Sequence, residues 1–237
     1  MVLLGVGNTL PVAEQYPGSF FACAWPDLEN ENLASVVAQL DGGAKCVGET
    51  SIRHFASGLT STEKTFDATS AYLMSLYEEA RKRDVPVIVH FDYSEGRISE
   101  LEAALEDARD TDYGATTFIW AHMGDAPSGV VRRMLDDHDN LFVDLSSRNP
   151  LCTFDGRLLP IEDQRLDDGT LTLKEGWRSL FEDHSDRVLF GSDIGPGSRH
   201  MEVAKIVEYY RTLLGQLSKQ TQERIGHQNA KALFGVE

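Results

Sequence analysis

Four apolar runs in this sequence end in a residue that can bind a metal or move a proton. VIVH ends at His90, FIWAH at His122, LFGSD at Asp193 and CVGE at Glu49. Two imidazoles and two carboxylates make a mixed nitrogen and oxygen donor set that suits Zn²⁺, Mn²⁺ or Fe²⁺. One histidine at the end of a run is weak evidence, because most such residues are simply hydrogen-bonded in place. Four such endings on four separate runs point to a shared site instead. Competing chemistries lack their signatures: the sequence has no G-x-S-x-G elbow and no phosphate-binding P-loop. Cys152 lies in no nucleophile signature.

Arginines beyond the run ends suggest what the site would hold. Arg53, Arg97 and Arg148 each follow such an end by a few residues, and their planar forks match a carboxylate. Arg148, in SSRNP, is the leading candidate, and a small anionic substrate is the corresponding expectation. Any one of these arginines also reads simply as a surface charge balancing an acidic protein. His54, in GETSIRH, is read as a substrate contact or an exposed side chain, and His200 as a mouth residue or a solvated one. His138 and His184 lie in DDHDN and EDHSD and read as surface residues; His227 reads as structural. Trp25 is read as lining the pocket or packing beneath it.

These residues need a scaffold that brings run ends together. Strand candidates are MVLLGV, SFFACAW, AKCVGE, VPVIVHF, ATTFIWAH, NLFVDLS and RVLFGSD, none with clean alternation. That pattern marks strands buried on both faces, as in a parallel sheet. Helical stripes lie between them: Leu33, Val36, Val37 and Leu40, with Gly42-Gly43 as a stop, then Leu73, Leu76, Tyr77 and Ala80. Leu101 with Leu105, Val131 with Met134 and Leu135, Trp177 with Phe181, and a stripe from Val203 to Leu214 continue the series. Repeated strand–helix units without a linker predict one α/β domain over 1–237, of the (β/α)8 TIM-barrel kind. Its strand ends would meet at one mouth. A doubly wound open sheet is the alternative, but no G-x-G-x-x-G follows any strand. The long connection over 150–176, with Asp168-Gly169 as a hairpin turn, is expected to form a lid.

Composition narrows the partners. The chain has 237 residues, with 22 Lys+Arg against 38 Asp+Glu, a formal net charge of −16. Such a surface disfavours nucleic acid and anionic membranes. No run approaches the roughly 18 apolar residues of a membrane span. MVLLGVGNTLPV lacks the basic flank and cleavage site of a signal peptide. Cys23 and Cys46 sit in apolar runs and read as buried free thiols, which makes a reducing cytoplasm the default location.

The segments PVIVHFDY, TFIWAHMGD, LFVDLSSRNP and RVLFGSDIGP, in that order, resemble the amidohydrolase superfamily, in particular its amidohydrolase-related (amidohydrolase 2) branch. The tail IGHQNAKALF is similar to that branch's closing helix, and EQYPGSFFACAWPD to its third-strand region. The resemblance implies a divalent metal, zinc first with manganese or iron as alternatives, that activates water at the barrel mouth. It makes His90 the strand-five ligand, His122 the strand-six histidine and Asp193 the strand-eight aspartate that binds metal and takes the proton from water. GETS is similar to the strand-four motif of TatD-type hydrolases, which makes Glu49 a bridging carboxylate; its plainer reading is an ion pair with Arg53. The family opens with an H-x-H pair on strand one, and this sequence contains no H-x-H. The first run here resembles the family's second strand, so the first strand is expected to be missing, through a late start or through loss in this lineage. Such a remainder would expose sheet edges that a partner, such as a second copy, would cover.

The implied reaction is metal-dependent hydrolysis of a C–N or ester/lactone bond in a small molecule. Non-oxidative decarboxylation of an aromatic acid is the alternative within the same branch. A TatD-like nuclease is disfavoured by the charge. A catalytically impaired barrel serving as a binding subunit is the non-enzymatic alternative.

Overall fold

The computed structural model describes residues 2–3, 9–54, 64–109, 114–150, 153–154, 157–158, 165–194 and 202–236. Their contacts fall into two compact units, Met1–Phe55 with Glu63–Ala121, and Ala56–Thr62 with His122–Glu237.

The first unit runs β1 (Val2–Leu3), α1 (Leu10–Gln15), β2 (Phe21–Ala24), α2 (Leu33–Asp41), β3 (Cys46–His54), β4 (Lys64–Thr65), α3 (Ala71–Lys82), β5 (Val87–Phe91), α4 (Ile98–Asp107) and β6 (Phe118–Trp120). The strands β1, β2, β3, β5 and β6 pair in that order, all parallel, with β4 antiparallel on β3. Every residue of β5 is buried, which is why its run is apolar without alternation. The helices start where the sequence offers a cap: the Asn32 side chain accepts the Ser35 N–H, and Ser70 the Leu73 N–H. The α3 stripe of Leu73, Leu76, Tyr77 and Ala80 is buried as predicted, with the Tyr77 ring edge-on to Phe118 at 4.9 Å.

Strand β3 departs from expectation. Its apolar run ends at Glu49, but pairing continues to His54, so Arg53 and His54 lie on the strand and not on a loop. Its register on β5 shifts between Val47 and Thr50 and again between Ser51 and Arg53, re-aiming the side chains there. Gly48 makes the first shift practicable. Its φ is +144°, and an added Cβ would lie 2.8 Å from the Ile88 carbonyl oxygen and 2.9 Å from Ile88 Cβ. Gly48→Ala is therefore expected to cost about 2–3 kcal/mol of stability in urea denaturation. An unchanged midpoint would show that the close approach is not required.

Cys23 and Cys46 are register partners on β2 and β3 and are joined as a disulfide, which corrects the expectation of free thiols. Equivalent positions on neighbouring parallel strands present their side chains to the same face, so the two sulfurs meet. With three cysteines in the chain, thiol titration of the denatured protein should rise threefold on prior reduction; an unchanged titre would refute the pairing.

The second unit runs α5 (Ser128–Asp137), β7 (Leu141–Asp144), β8 (Thr153–Phe154), β9 (Arg157–Leu158), α6 (Glu175–Asp183), β10 (Val188–Leu189), α7 (Val203–Leu214), α8 (Lys219–Glu223) and α9 (Asn229–Phe234). β7 and β10 pair in parallel, and β8 and β9 form an antiparallel ladder within the expected lid. The Asp168-Gly169 turn is present, with Gly169 at φ +90° and a bridge from Asp167 to Leu173. The Asn229 amide donates to the Ser185 and Val188 carbonyls at 2.7 Å each, tying the closing helix to β10. His138 and His184 are buried, 3% and 9% exposed, where acidic flanks suggested surface positions. Among the described residues, no helix is long and apolar enough to cross a membrane.

Candidate metal centre

In the first unit the site is built on the end of β5. Residues two apart on a strand share a face, and His90 is followed at that spacing by Asp92. His90 Nε2 lies 3.0 Å from Asp92 Oδ1, while its Nδ1 meets the carboxylate of Glu49 from β3. His54, at the end of β3, stacks on the His90 ring with centroids 4.5 Å apart and planes 7° apart. Its Nδ1 is 3.7 Å from Asp92 Oδ2. Two hydrogen bonds pin the main chain here: Arg53 Nη1 donates to the Asp92 carbonyl, and Trp120 Nε1 to the Phe91 carbonyl at 2.8 Å.

Burial alone would push the His90 imidazole down in pKa, but its hydrogen bonds to Asp92 and Glu49 outweigh that and hold it well above the ordinary histidine range. A ring this basic between two carboxylates would take a divalent ion only by giving up a proton. Ligand atoms of His54, His90 and Asp92 all lie within 4.8 Å of one another. An imidazole lone pair lies in the ring plane, so two stacked rings cannot both point at one ion. His54 therefore covers His90, and the donors that fit one divalent ion are His90 through Nδ1 with Glu49, while Asp92 on the opposite nitrogen orients the ring.

In the second unit the backbone carries the signal. His122 (φ 59°), Met123 (φ 51°), Asp125 (φ 54°), Ser147 (φ 58°) and Asp193 (φ 45°) are all left-handed without being glycine. Such residues cost roughly 1–2 kcal/mol each and persist where their surroundings hold them. Arg148 holds the first group. It is 0% exposed, and its Nε donates to the His122 carbonyl at 2.8 Å. Its Nη2 donates to Met123 at 3.3 Å and Ala126 at 2.8 Å, with the guanidinium 5.2 Å over the Trp177 ring. Burial lowers its pKa to about 10. The residue expected to grip substrate is thus placed beneath the His122 turn.

Asp144, at the end of β7, organises the rest. Its Oδ1 accepts the His122 N–H at 3.1 Å, the Ser146 N–H at 2.9 Å and the Ser146 hydroxyl. His122 Nδ1 lies 2.6 Å from Ser146 Oγ. Desolvation raises the Asp144 carboxyl, partly offset by His122 and these hydrogen bonds. Ser147 Oγ donates to Asp193 Oδ2. Gly191 of FGSD permits this packing, since an added Cβ would meet Ser146 Cβ at 3.0 Å and Asp144 Oδ1 at 3.2 Å.

The structure brings Glu49, His90 and His54 together and sets His122 and Asp193 in hydrogen-bonded positions within their own unit. Arg53 packs 5.8 Å over Phe91, Arg97 pairs with Glu100 at 2.8 Å, and Arg165 with Asp167 at 3.0 Å. The Trp25 N–H is bonded to the Gln39 side chain of α2 at 3.1 Å. His200, Cys152 and the Arg157 side chain lie outside the described residues. Sequence reasoning missed Asp92, Asp144, Ser146 and Ser147. The signal for Asp92 was the alternation in His90-Phe91-Asp92; for the others it was the polar DLSS closing an apolar strand.

Parallel strands ending in histidines and carboxylates, joined by helices, define the class of metal-dependent α/β-barrel enzymes. The sequence profile of a family described as amidohydrolase matches residues 12–236. The chain belongs to the amidohydrolase-2 family, whose members include metal-dependent hydrolases and decarboxylases. Comparison with curated proteins found no match. Among solved structures, a TIM-barrel protein from Bordetella bronchiseptica is similar at TM-score 0.69 and 18% identity, over 99% of this chain and 76% of that one. A protein from Pseudomonas putida described as a 2-pyrone-4,6-dicarboxylic acid hydrolase follows at TM-score 0.61 and 20% identity, over 97% and 78%. A dihydroxybenzoic acid decarboxylase from Polaromonas sp. JS666, with bound manganese and the inhibitor 2-nitroresorcinol, gives TM-score 0.53 and 14% identity, over 95% and 72%. These likenesses establish the TIM-barrel fold class.

Proposed function

We propose that the chain is a metal-dependent hydrolase acting on an ester or lactone bond of a small carboxylated ring compound. The observation that carries this reading is His90 held between Glu49 and Asp92. His90 and Glu49 would hold the ion, zinc or else manganese or iron, with Asp92 orienting the ring from its other nitrogen, and the family resemblance adds His122 and Asp193 to the same reaction. When bound, such an ion acidifies water and polarises the group under attack. Asp193 takes the proton from water, and the Ser147 hydroxyl orients its carboxylate for that role. The family match runs through both units, which supports reading 1–237 as one catalytic domain.

The substrate class is drawn from the similar structures, whose names pair pyrone and benzoate rings with carboxyl groups. The decarboxylase among them gives a second reading, loss of CO₂ from a hydroxylated aromatic acid. Elemental analysis after dialysis should find about one divalent ion per chain. Screening carboxylated lactones against dihydroxybenzoates, with acid release and CO₂ evolution measured separately, then separates the reactions. A folded protein that retains no zinc, manganese or iron when each is supplied would overturn both. Asp193→Asn should lower turnover by about 10²–10⁴-fold with the fold intact; native turnover would remove Asp193 from its role.

A further inference from the structure

The hydrogen atoms around His122 can be placed by counting donors. Asp144 Oδ1 already accepts two backbone N–H groups, from His122 and Ser146, so it is an acceptor at that position. The Ser146 hydroxyl also contacts Oδ1, and a hydroxyl has one hydrogen, which this contact must use. Ser146 Oγ therefore faces His122 Nδ1, at 2.6 Å, with a lone pair. Nδ1 must supply the hydrogen of that bond. The chain of donors runs from His122 Nδ1–H to Ser146 Oγ–H to Asp144 Oδ1.

We infer that Ser146 and Asp144 form a relay that fixes a hydrogen on His122 Nδ1, so that in the neutral ring Nε2 carries the lone pair. Neither residue is catalytic; both are positioning residues acting through His122. The relay extends the ordinary arrangement in which a ligating histidine donates its second nitrogen to a carboxylate or carbonyl, here with a serine hydroxyl between them. It also accounts for the backbone. The left-handed φ of His122 turns its own N–H onto the same Oδ1 that ends the relay, so main chain and ring are oriented by one carboxylate. Ser146 is 5% exposed and His122 8%, so water is a poor substitute for either link.

The assignment of the tautomer stands without the proposed function; only its effect on metal binding rests on that reading. Long-range ¹H–¹⁵N correlation spectra of the metal-free full chain distinguish the two nitrogens of a neutral imidazole, with the His122 signals assigned by their loss in His122→Gln. The expected result is Nδ1–H in the native protein, moving to a mixture or to Nε2–H in Ser146→Ala. An Nε2–H native ring would overturn the relay without any variant having to fold. An Nδ1–H ring that persists in Ser146→Ala would remove Ser146 from it. Manganese titration is the second readout: Ser146→Ala should bind Mn²⁺ about 10–100-fold more weakly than the native chain. If the native chain binds none of zinc, manganese or iron, the proposed function fails while the spectra still decide the relay.

Discussion

His90→Ala is expected to empty the site. The purified variant should retain no divalent ion after dialysis, and turnover should fall by more than about 10³-fold. The reason is electrostatic as much as coordinative. His90 is the nitrogen donor that both Glu49 and Asp92 address, one on each ring nitrogen. Without it the two carboxylates lose the cation that compensates them, and removing one partner of a buried charged cluster costs about 3–5 kcal/mol. A lower melting temperature in the metal-free state is therefore part of the expectation, and it creates an ambiguity that a second variant removes. Asp92→Asn keeps the shape and one carbonyl oxygen but deletes a charge. It should remain folded and bind Mn²⁺ about 10–100-fold more weakly. If the cluster were only a structural ion pair, Asp92→Asn would change stability and leave metal content as it was. Native metal content in both variants would end the assignment.

The scaffold was legible because its physics is repetitive. Strands β5 and β6 are buried on both faces, so VIVHF and FIW stand out as apolar runs whatever surrounds them. What escaped was set by single contacts. GETSIRH reads as polar and loop-like, yet it pairs as strand because Gly48 lets β3 shift register against Ile88. Glu49 and His90 stand at the ends of their apolar runs, whereas Asp92 falls just past the end of β5, where no apolar run marks it. The acidic neighbours of His138 and His184 suggested solvent. His184 is instead held near Arg187 and Asp136, 3.1 Å from each. Cys23 and Cys46 were placed in the right strands, and only the register between those strands reveals that they meet. Strand ends can be found from periodicity; which side chains converge there depends on offsets of one residue.

Arg148→Met is expected to cost about 3–5 kcal/mol of stability and most of the activity, although Arg148 is 0% exposed. The size follows from what the guanidinium does. Its N–H groups satisfy the carbonyls of His122, Met123 and Ala126 in a segment with left-handed backbone at His122, Met123 and Asp125. Each buried carbonyl left without a donor costs about 1–3 kcal/mol, and the face of Trp177 loses a desolvated cation worth roughly 2 kcal/mol. Methionine recovers part of this, because burying the charge of a side chain that is 0% exposed was itself costly. The loss of activity comes through His122, whose carbonyl and φ are released together. Lysine should not rescue, since one ammonium on a flexible stem cannot span carbonyls that a planar fork reaches at once. Had Arg148 gripped a substrate carboxylate, the same change would raise KM and leave urea denaturation untouched. That second pattern, native stability with a raised KM, would return Arg148 to the pocket and require another explanation for the left-handed turn at His122.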